Sequence, residues 1–473
     1  MRLLVRAILI LGLMWHQTLA ANPANTADSV EALFDNSGIP GASYGATSDG
    51  IVTKVGALGL IEIGAEARVT EDSAFLIGSV SKSFTALGVM QLVEAGDVAL
   101  DAPISAYLKR FENAPASDVT IRQLLSHTSG FSMLQGNAEQ DDFSMDKDAL
   151  ADRVGRLVDQ QLANPPGSKW EYSNANYQIL GRLIEAVSGS DYASYVENNI
   201  LIPAGMENSY VHKAAIDARL VSGHQPWFGA KRALTQNMTG LGSAPQGGIV
   251  SSGHDMARYL SIMMNGKDDI LSAAGKTQMM QPASIVSPRY GFGWFINPDK
   301  GLVYHSGANP GFEALATMVP AERKGVAVLV NAGSGTGFGD TDHFRHAASA
   351  LLIDVDYENR EAGALPKMTF LLVTSLPVLF LLASLWAYVK RAKLAEKTQS
   401  WFGHFSLWFP LLTTSVIAVL VFAFLPQVIG APLSAIRYFQ PDMWLGILGI
   451  ALLGPAWAIW RLVLAYKTRP TSS

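Results

Sequence analysis

A serine and a lysine, Ser79 and Lys82, stand three residues apart in a stretch of otherwise apolar and small residues. Apolar side chains recur at near-helical spacing from Phe84 to Val93, which predicts a helix that starts at Ser79 and places the two polar groups on one face. A serine hydroxyl becomes a nucleophile when a base takes its proton, and a half-buried lysine can be that base because desolvation lowers its pKa. The spacing therefore predicts a nucleophilic serine at position 79.

A second Ser-x-x-Lys pair, Ser144 and Lys147, provides an internal comparison. Four carboxylates surround it in the sequence, those of Asp141, Asp142, Asp146 and Asp148. Nearby negative charge keeps a lysine protonated and unable to act as a base. We interpret this copy as a solvated acidic loop in which Ser144 caps the next helix.

Tyr172 and Asn174 follow a Pro-Pro-Gly segment, so we expect them in a loop before a helix at about 177–187. Residues two apart in an extended loop point the same way. A phenol near a lysine ammonium can lose its proton more easily and act as a general base, and a carboxamide can hold a substrate amide. Taken singly, the two residues are better interpreted as a buried tyrosine and a helix-capping asparagine.

A third polar segment, His305-Ser306-Gly307-Ala308, ends a predicted strand. Small residues there let a substrate lie against the strand edge, where a backbone N–H can stabilise an oxyanion. His305 is a candidate for proton transfer or for binding a substrate carboxylate. An ordinary histidine at the end of a strand is the alternative.

Strand patterns lie near both ends of the segment that contains these residues. The predicted strands are 41–46, 51–55, 58–63, 290–295, 302–305, 314–319 and 325–330. Helical patterns dominate between about 79 and 285, and a further helix is predicted at 342–352. This order predicts a mixed α/β fold, with one sheet that carries a helical insert.

Composition excludes several classes of function. The chain of 473 residues has a net charge of −5 and no basic stripe, so nucleic acid is not an expected partner. The absence of cysteine excludes disulfides, thiolate metal sites and a cysteine nucleophile.

His343 and His346 have no third ligand nearby in the sequence, so we expect no metal and no cofactor. Residues 41–45 match Gly-x-Ser-x-Gly, the nucleophile elbow of α/β-hydrolases. That elbow requires a helix after the serine, but a strand pattern follows here, so we interpret Ser43 as a strand residue and not as a nucleophile.

Both ends of the chain have features of an exported membrane protein. Residues 1–20 combine basic residues, a short apolar core and a small-residue cleavage position, which predicts a cleaved secretory signal; an uncleaved anchor helix is the alternative. Residues 21–365 are then predicted to form a soluble enzyme domain. Residues 366–473 contain three apolar stretches, at about 368–389, 405–425 and 443–465, each long enough to cross a bilayer.

Basic residues next to these stretches predict their orientation. The second connection carries only Arg437, whereas the first carries Lys390, Arg391, Lys393 and Lys397. Because basic residues are retained on the cytoplasmic side, we expect a cytoplasmic C-terminus and an extracytoplasmic enzyme domain at a bacterial inner membrane.

The three polar segments, in this order, resemble the motifs of the class C β-lactamases and penicillin-binding serine hydrolases. That family includes D-alanyl-D-alanine carboxypeptidases, D-aminopeptidases and esterases. Ser79–Lys82 resembles its Ser-x-x-Lys motif, Tyr172–Asn174 its Tyr-x-Asn motif and His305–Gly307 its Lys/His-Ser/Thr-Gly motif. Flanking segments at 124–130, 247–252 and 290–294 match as well, so the resemblance covers roughly 30–355. It implies a mostly antiparallel sheet flanked by helices, with a helical subdomain.

The resemblance also implies roles for individual residues. It implies an enzyme that works without a cofactor. Ser79 would be acylated, Lys82 and Tyr172 would share proton transfer, and the backbone N–H groups of Ser79 and Ala308 would form the oxyanion hole. The substrate would be bound by Asn174, His305, Ser306 and Gly307. The lactamases of this class have lysine where this chain has His305, which favours a peptidase or esterase.

We therefore expect a membrane-anchored serine hydrolase that acts on D-amino-acid peptides of the cell-wall type, esters or β-lactams. The alternative is a penicillin-binding sensor that is acylated slowly and signals through its membrane helices. A scaffold with an inactive site is a third possibility, against which the intact motifs argue. Substrate and oligomeric state stay open.

Overall fold

A computed structural model of the chain describes residues 29–468, except 215–216, 237, 337–340 and 357–363. The predicted signal segment 1–20 and the tail after residue 468 lie outside the described residues, and so does the segment that immediately precedes the predicted boundary at residue 365. The limits of the predicted domains therefore stay predictions.

The described strands combine both ends of the soluble domain into one sheet. They are β1 Gly41–Ser48, β2 Ile51–Gly59, β3 Phe75–Leu76, β4 Tyr210–Val211, β5 His224–Trp227, β6 Ala230–Ala233, β7 Ile249–Ser251, β8 Phe295–Asn297, β9 Leu302–Asn309, β10 Phe312–Val319 and β11 Lys324–Val330. The main sheet is antiparallel, with the spatial order β2-β1-β11-β10-β9-β8. Strands β3, β7 and β4 form a small second sheet, and β5 pairs with β6.

Helices surround the sheet and form the subdomain between β3 and β8. The described α-helices of the soluble part are Val30–Asp35, Ser81–Glu94, Ile121–Leu125, Met133–Asn137, Ala149–Gly155, Asn174–Ser188, Tyr192–Val196, Ala244–Gly247, Gly253–Met264, Ala273–Met279 and Thr341–Ile353. The antiparallel sheet with its flanking helices and helical subdomain confirms the predicted fold class.

Strand β11 shows how the sheet separates two hydrophobic cores. Successive side chains of a strand point to opposite faces, so Val328 packs into a core with the helix Thr341–Ile353. Its neighbour Leu329 belongs to the larger core, which includes the helix Gly253–Met264. A strand that is buried on both faces is apolar throughout, which explains the β-branched composition of β11.

Several predicted elements differ in detail from the structure. The strands predicted at 51–55 and 58–63 are one strand, β2, which ends at Gly59 with φ +75°. The strand predicted at 290–295 is wrong except for Phe295, because Gly293 with φ +78° turns the chain just before β8. The region predicted as mainly helical also contains the short strands of the second sheet and the β5–β6 hairpin.

The acidic second Ser-x-x-Lys copy lies in a loop, as expected, but Ser144 does not cap a helix. Its hydroxyl accepts a hydrogen bond from the Asp146 N–H at 3.2 Å within the loop. The following helix, Ala149–Gly155, begins only after Asp148.

The helix Ser81–Glu94 carries Lys82 and is buried along most of its length. It continues from a 3₁₀ turn, Gly78–Val80, that contains Ser79, so Ser79 lies just before the α-helix and not inside it as predicted. Residues 81–90 are all buried. Apart from Lys82, their side chains are apolar or small on every face of the helix, as expected for a helix inside the core. The helix thus holds Lys82 in the interior while Ser79 reaches the surface of the cleft.

Three C-terminal helices are long and apolar enough to cross a membrane: Ala364–Val389 (M1), Trp401–Ile429 (M2) and Pro441–Lys467 (M3). M3 packs against both M1 and M2. Many of their large apolar side chains are exposed on the outside of the three-helix bundle, as lipid-facing side chains would be.

We predict that Phe84→Ala lowers the free energy of unfolding by about 3–5 kcal/mol, because a fully buried aromatic ring is lost. The ring of Phe84 stacks on that of Tyr259 with centroids 4.1 Å apart. Chemical denaturation of the full chain in detergent, followed by tryptophan fluorescence, measures the change. Ile51→Ala is the control, since Ile51 is 66% exposed and its removal should change stability by less than about 0.5 kcal/mol. Equal effects of the two substitutions would contradict the packing described here.

Candidate active site

Ser79 and Lys82 are in direct contact. The Nζ atom of Lys82 lies 3.1 Å from Oγ of Ser79 and donates a second hydrogen bond, of 2.9 Å, to the backbone carbonyl of Gln246. Lys82 is completely buried, whereas Ser79 is partly exposed. The pair therefore has the arrangement of a nucleophile and its base, with the base hidden from solvent.

The surroundings of Lys82 favour its neutral form. Burial holds the pKa of this amine well below its usual value. Both of its hydrogen-bond partners, the hydroxyl of Ser79 and the carbonyl of Gln246, are formally neutral, so neither supplies the full negative charge with which a carboxylate would keep the amine protonated. A neutral amine has a free lone pair and can take the proton of Ser79.

Tyr172 lies beside the same amine. Nζ of Lys82 is 5.0 Å from the centroid of the Tyr172 ring. We expected an easily ionised phenol, but burial raises the pKa of Tyr172, and a hydrogen bond with Ser79 only partly opposes this rise. Tyr172 is therefore a protonated phenol at neutral pH, suited to donating a proton.

His127 positions the segment that carries Tyr172. Its Nδ1 accepts hydrogen bonds from the N–H of Ser173 at 3.2 Å and from the side chain of Asn176 at 2.9 Å. Its ring packs 4.4 Å from that of Tyr172. Burial lowers the pKa of His127 well below its usual value, so the ring stays neutral and Nδ1 remains an acceptor. In the sequence His127 was only part of the matching segment 124–130, and that motif was the one signal of its role.

Asn174 presents an unused acceptor to the cleft. It is the first residue of the helix Asn174–Ser188, and not part of an extended loop as predicted. Its Nδ2 donates to Oδ1 of Asn137 at 2.7 Å, while its own Oδ1 is buried without a hydrogen-bond partner. Because a buried polar atom needs a partner, Oδ1 is available to accept an N–H from a bound molecule.

Two glycines allow β9 to approach the nucleophile. A Cβ on Gly78, which has φ +52°, would lie 2.3 Å from the backbone nitrogen of Ala308. A Cβ on Gly307 would lie 3.0 Å from the nitrogen of Ser79. The nitrogens of Ser79 and Ala308 therefore lie close together, as an oxyanion hole requires.

The edge of β9 at the site is open. Strand β8 pairs with residues 302–304 of β9 only, and residues 305–309 pair with β10 on the opposite side. Ser306 is exposed on this part of the strand, next to Gly307 and Ala308. An extended substrate can lie along such an edge.

His305 is buried and neutral. Its Nδ1 donates to the carbonyl of Ser306 at 2.7 Å, and its Nε2 accepts from the hydroxyl of Tyr290 at 3.2 Å. Burial is the main cause that lowers the pKa of His305, to about 3. An uncharged imidazole with both nitrogens engaged provides no fixed positive charge for a substrate carboxylate.

One cleft opens over the nucleophile. The polar residues and Ala308 that line it include Ser79, Arg153, Asn174, Gln246, Ala308 and Asn309. Sequence reasoning did not select Arg153, Gln246 or Asn309, since none of them lies in the three motifs. In the part of the chain that the structure describes, no group of three His, Asp or Glu side chains is placed to hold a metal ion.

Comparison with known proteins identifies the family of the chain. Residues 26–351 match the family model described as Beta-lactamase. Penicillin-binding protein 4 of Amycolatopsis lactamdurans is 30% identical over 355 residues, which cover 69% of this chain and 90% of the relative. Protein flp of Staphylococcus aureus is 26% identical over 302 residues, 63% of this chain, and the match spans only 60% of the length of that relative.

A solved structure has the same fold. The octameric penicillin-binding protein homologue from Pyrococcus abyssi has 28% sequence identity and a TM-score of 0.59, with 72% of this chain and 79% of that chain covered. The family match extends from before β1 to the helix after β11 and includes all three motifs. The chain therefore belongs to the beta-lactamase family, whose members are serine hydrolases.

Proposed function

We propose that this chain is a serine hydrolase that forms an acyl-enzyme at Ser79, and that M1–M3 anchor it in a membrane with the enzyme domain outside the cytoplasm. The observation that carries the proposal is the 3.1 Å contact between Ser79 and a buried Lys82 that has no charged hydrogen-bond partner. A structural lysine would be expected to have a carboxylate partner or access to water.

The reaction needs no group beyond these side chains and water. Neutral Lys82 takes the hydroxyl proton of Ser79 while Oγ bonds to the carbonyl carbon, and the C=O electron pair moves onto oxygen, between the N–H groups of Ser79 and Ala308. The bond to the leaving group then breaks as Tyr172 protonates that group, and Tyr172 regains a proton from the Lys82 ammonium. Water, deprotonated by Lys82, attacks the acyl-enzyme and releases the acid with Ser79 restored.

The site favours peptides or esters over β-lactams. Oδ1 of Asn174 is free to accept a substrate amide N–H, and the edge of β9 can pair with an extended substrate. His305 is neutral and buried, so the strand lacks the permanent positive charge with which a lysine would bind a carboxylate. We therefore propose D-amino-acid peptides of the cell-wall type and esters as the preferred substrates.

The membrane orientation follows from the charges that flank M1–M3. Four basic residues follow M1, and the M2–M3 connection carries only Arg437. Retention of basic residues in the cytoplasm places the M1–M2 connection inside and the enzyme domain outside. This orientation agrees with the secretory signal predicted at residues 1–20.

The first prediction of this proposal is that Ser79→Ala abolishes covalent labelling by a fluorescent fluorophosphonate. The matched control is Ser144→Ala, which removes the serine of the second Ser-x-x-Lys pair from an acidic loop. Labelling should persist in that control, and labelling that survives Ser79→Ala would show another nucleophile. Wild-type protein should continue to release product from an ester after the first equivalent, whereas a sensor that is acylated without turnover would stop there.

The second prediction concerns the pH dependence of kcat/KM for an ester. Activity should be present above the lowered pKa of Lys82 and lost as the pH falls through it, because protonation removes the base. Lys82→Met should reduce kcat by about 10²–10⁴-fold.

His305 should not contribute to the loss of activity at low pH, because its pKa is about 3. His305→Gln should therefore leave unchanged the pH at which kcat/KM falls to half, while altering the value of kcat/KM itself. A shift of that pH with His305→Gln would show that the imidazole titrates in this range.

The third prediction is topological. Alkaline phosphatase fused after Ser473 should be inactive, and the same reporter inserted after Ile429 should be active, because the reporter folds only outside the cytoplasm. An active fusion at Ser473 would show that one of the three helices does not cross the membrane.

A further inference from the structure

The connection between M2 and M3, residues 430–440, packs against the enzyme domain. We call it the M2–M3 loop; it contains the helix Leu433–Phe439. The side chain of Asn137 donates to the carbonyl of Gly430 at 2.8 Å, and the ring of Tyr438 meets that of Phe143 edge-on at 5.0 Å. The side chain of Gln225 donates to the carbonyl of Tyr438. The loop therefore contacts the helical subdomain and the β5–β6 hairpin together.

Both ends of the M2–M3 loop are held in a defined conformation. Gly430 has φ +64°, in the left-handed region that favours glycine, and a Cβ there would lie 2.6 Å from the sulfur of Met133. At the other end Asp442 is buried and accepts a hydrogen bond from the N–H of Phe228 at 2.9 Å. A buried carboxylate bonded to a backbone N–H of another segment specifies the docked position of M3.

The docked loop reaches the catalytic cleft in two ways. Phe439 lines the same cleft as Ser79, together with Phe143 and Met238. Asn137 also links the loop to the site, because it donates to Gly430 and accepts from Asn174, whose free Oδ1 faces the cleft. A residue of the M2–M3 loop thus lines the same cleft as Ser79.

We propose that the M2–M3 loop completes the substrate cleft and that Phe439 is a specificity-determining residue that limits the size of the acyl group transferred to Ser79. The inference rests on the proposed hydrolase function. The cavity over Ser79 has a volume of only about 60 Å³, so a long acyl chain needs the space that the phenyl ring of Phe439 occupies. Small acyl groups are the class that this cleft accepts.

Exchange of Phe439 tests the proposal in the full chain in detergent. The measurement is the ratio of kcat/KM for 4-nitrophenyl hexanoate to that for 4-nitrophenyl acetate. Phe439→Ala should raise the ratio by about tenfold or more, since each methylene accommodated in an apolar pocket changes kcat/KM by roughly 10–200-fold. Phe439→Trp should lower the ratio.

The matched control is Phe424→Ala, which removes an exposed phenyl ring from M2. Its ratio should equal that of the wild type. If Phe439→Ala and Phe424→Ala give the same ratio, the inference is wrong. Absence of fluorophosphonate labelling in the wild type would instead contradict the hydrolase proposal, so the two failures are distinguishable.

Site-directed modification gives a second test that does not depend on substrate choice. The chain has no cysteine, so Phe439→Cys and Phe424→Cys each provide one thiol for a bulky maleimide. Each variant is compared with itself before and after modification. Modification at position 439 should reduce fluorophosphonate labelling of Ser79 at least about tenfold, and modification at 424 should leave it unchanged. Unchanged labelling after modification at 439 would overturn the inference.

Discussion

The proposed hydrolase chemistry depends on the burial of one amine beside one hydroxyl. Lys82 can take a proton from Ser79 only if its neutral form is populated, and burial away from bulk solvent and from carboxylates favours that form. The burial of residues 81–90 on every side of the helix provides that environment. The carbonyl of Gln246 then fixes the direction of the amine without supplying a full negative charge. A packing feature of the core thereby provides the base that the proposed reaction requires.

The sheet contributes the second half of the site through close approach of backbone segments. Gly78 and Gly307 have no side chains, so the turn that carries Ser79 lies directly against β9. Pairing of β9 with β10 fixes the position of Ala308, and the absence of β8 beyond residue 304 leaves the other edge open for a substrate. Close packing also keeps two histidines neutral. His127 and His305 are buried, which lowers their pKa values, and both serve as hydrogen-bonding groups in the wall of the site.

Local sequence patterns predicted those features that neighbouring residues determine. The pair Ser79 and Lys82, the strands at both ends of the enzyme domain and the three apolar C-terminal helices are all visible as spacing or composition. The neutral state of His305 is not visible, since it depends on burial and on a hydrogen bond with Tyr290. The contact between Asn137 and Gly430 joins residues 293 positions apart, so no local pattern could predict it.

The same contact changes how the membrane helices are understood. A simple tether would need only a flexible connection to the enzyme domain, and its outward loop could be polar and free. Here the M2–M3 loop carries the aromatic rings of Tyr438 and Phe439, it contacts the helical subdomain at Gly430, and the buried carboxylate of Asp442 holds the adjoining start of M3. Ordering such a loop has an entropic cost, which its contacts with the enzyme domain must offset. Because Phe439 lines the cleft that contains Ser79, removal of M2 and M3 would remove part of the lining of that cleft, so the proposed anchor and the candidate active site form one structural unit.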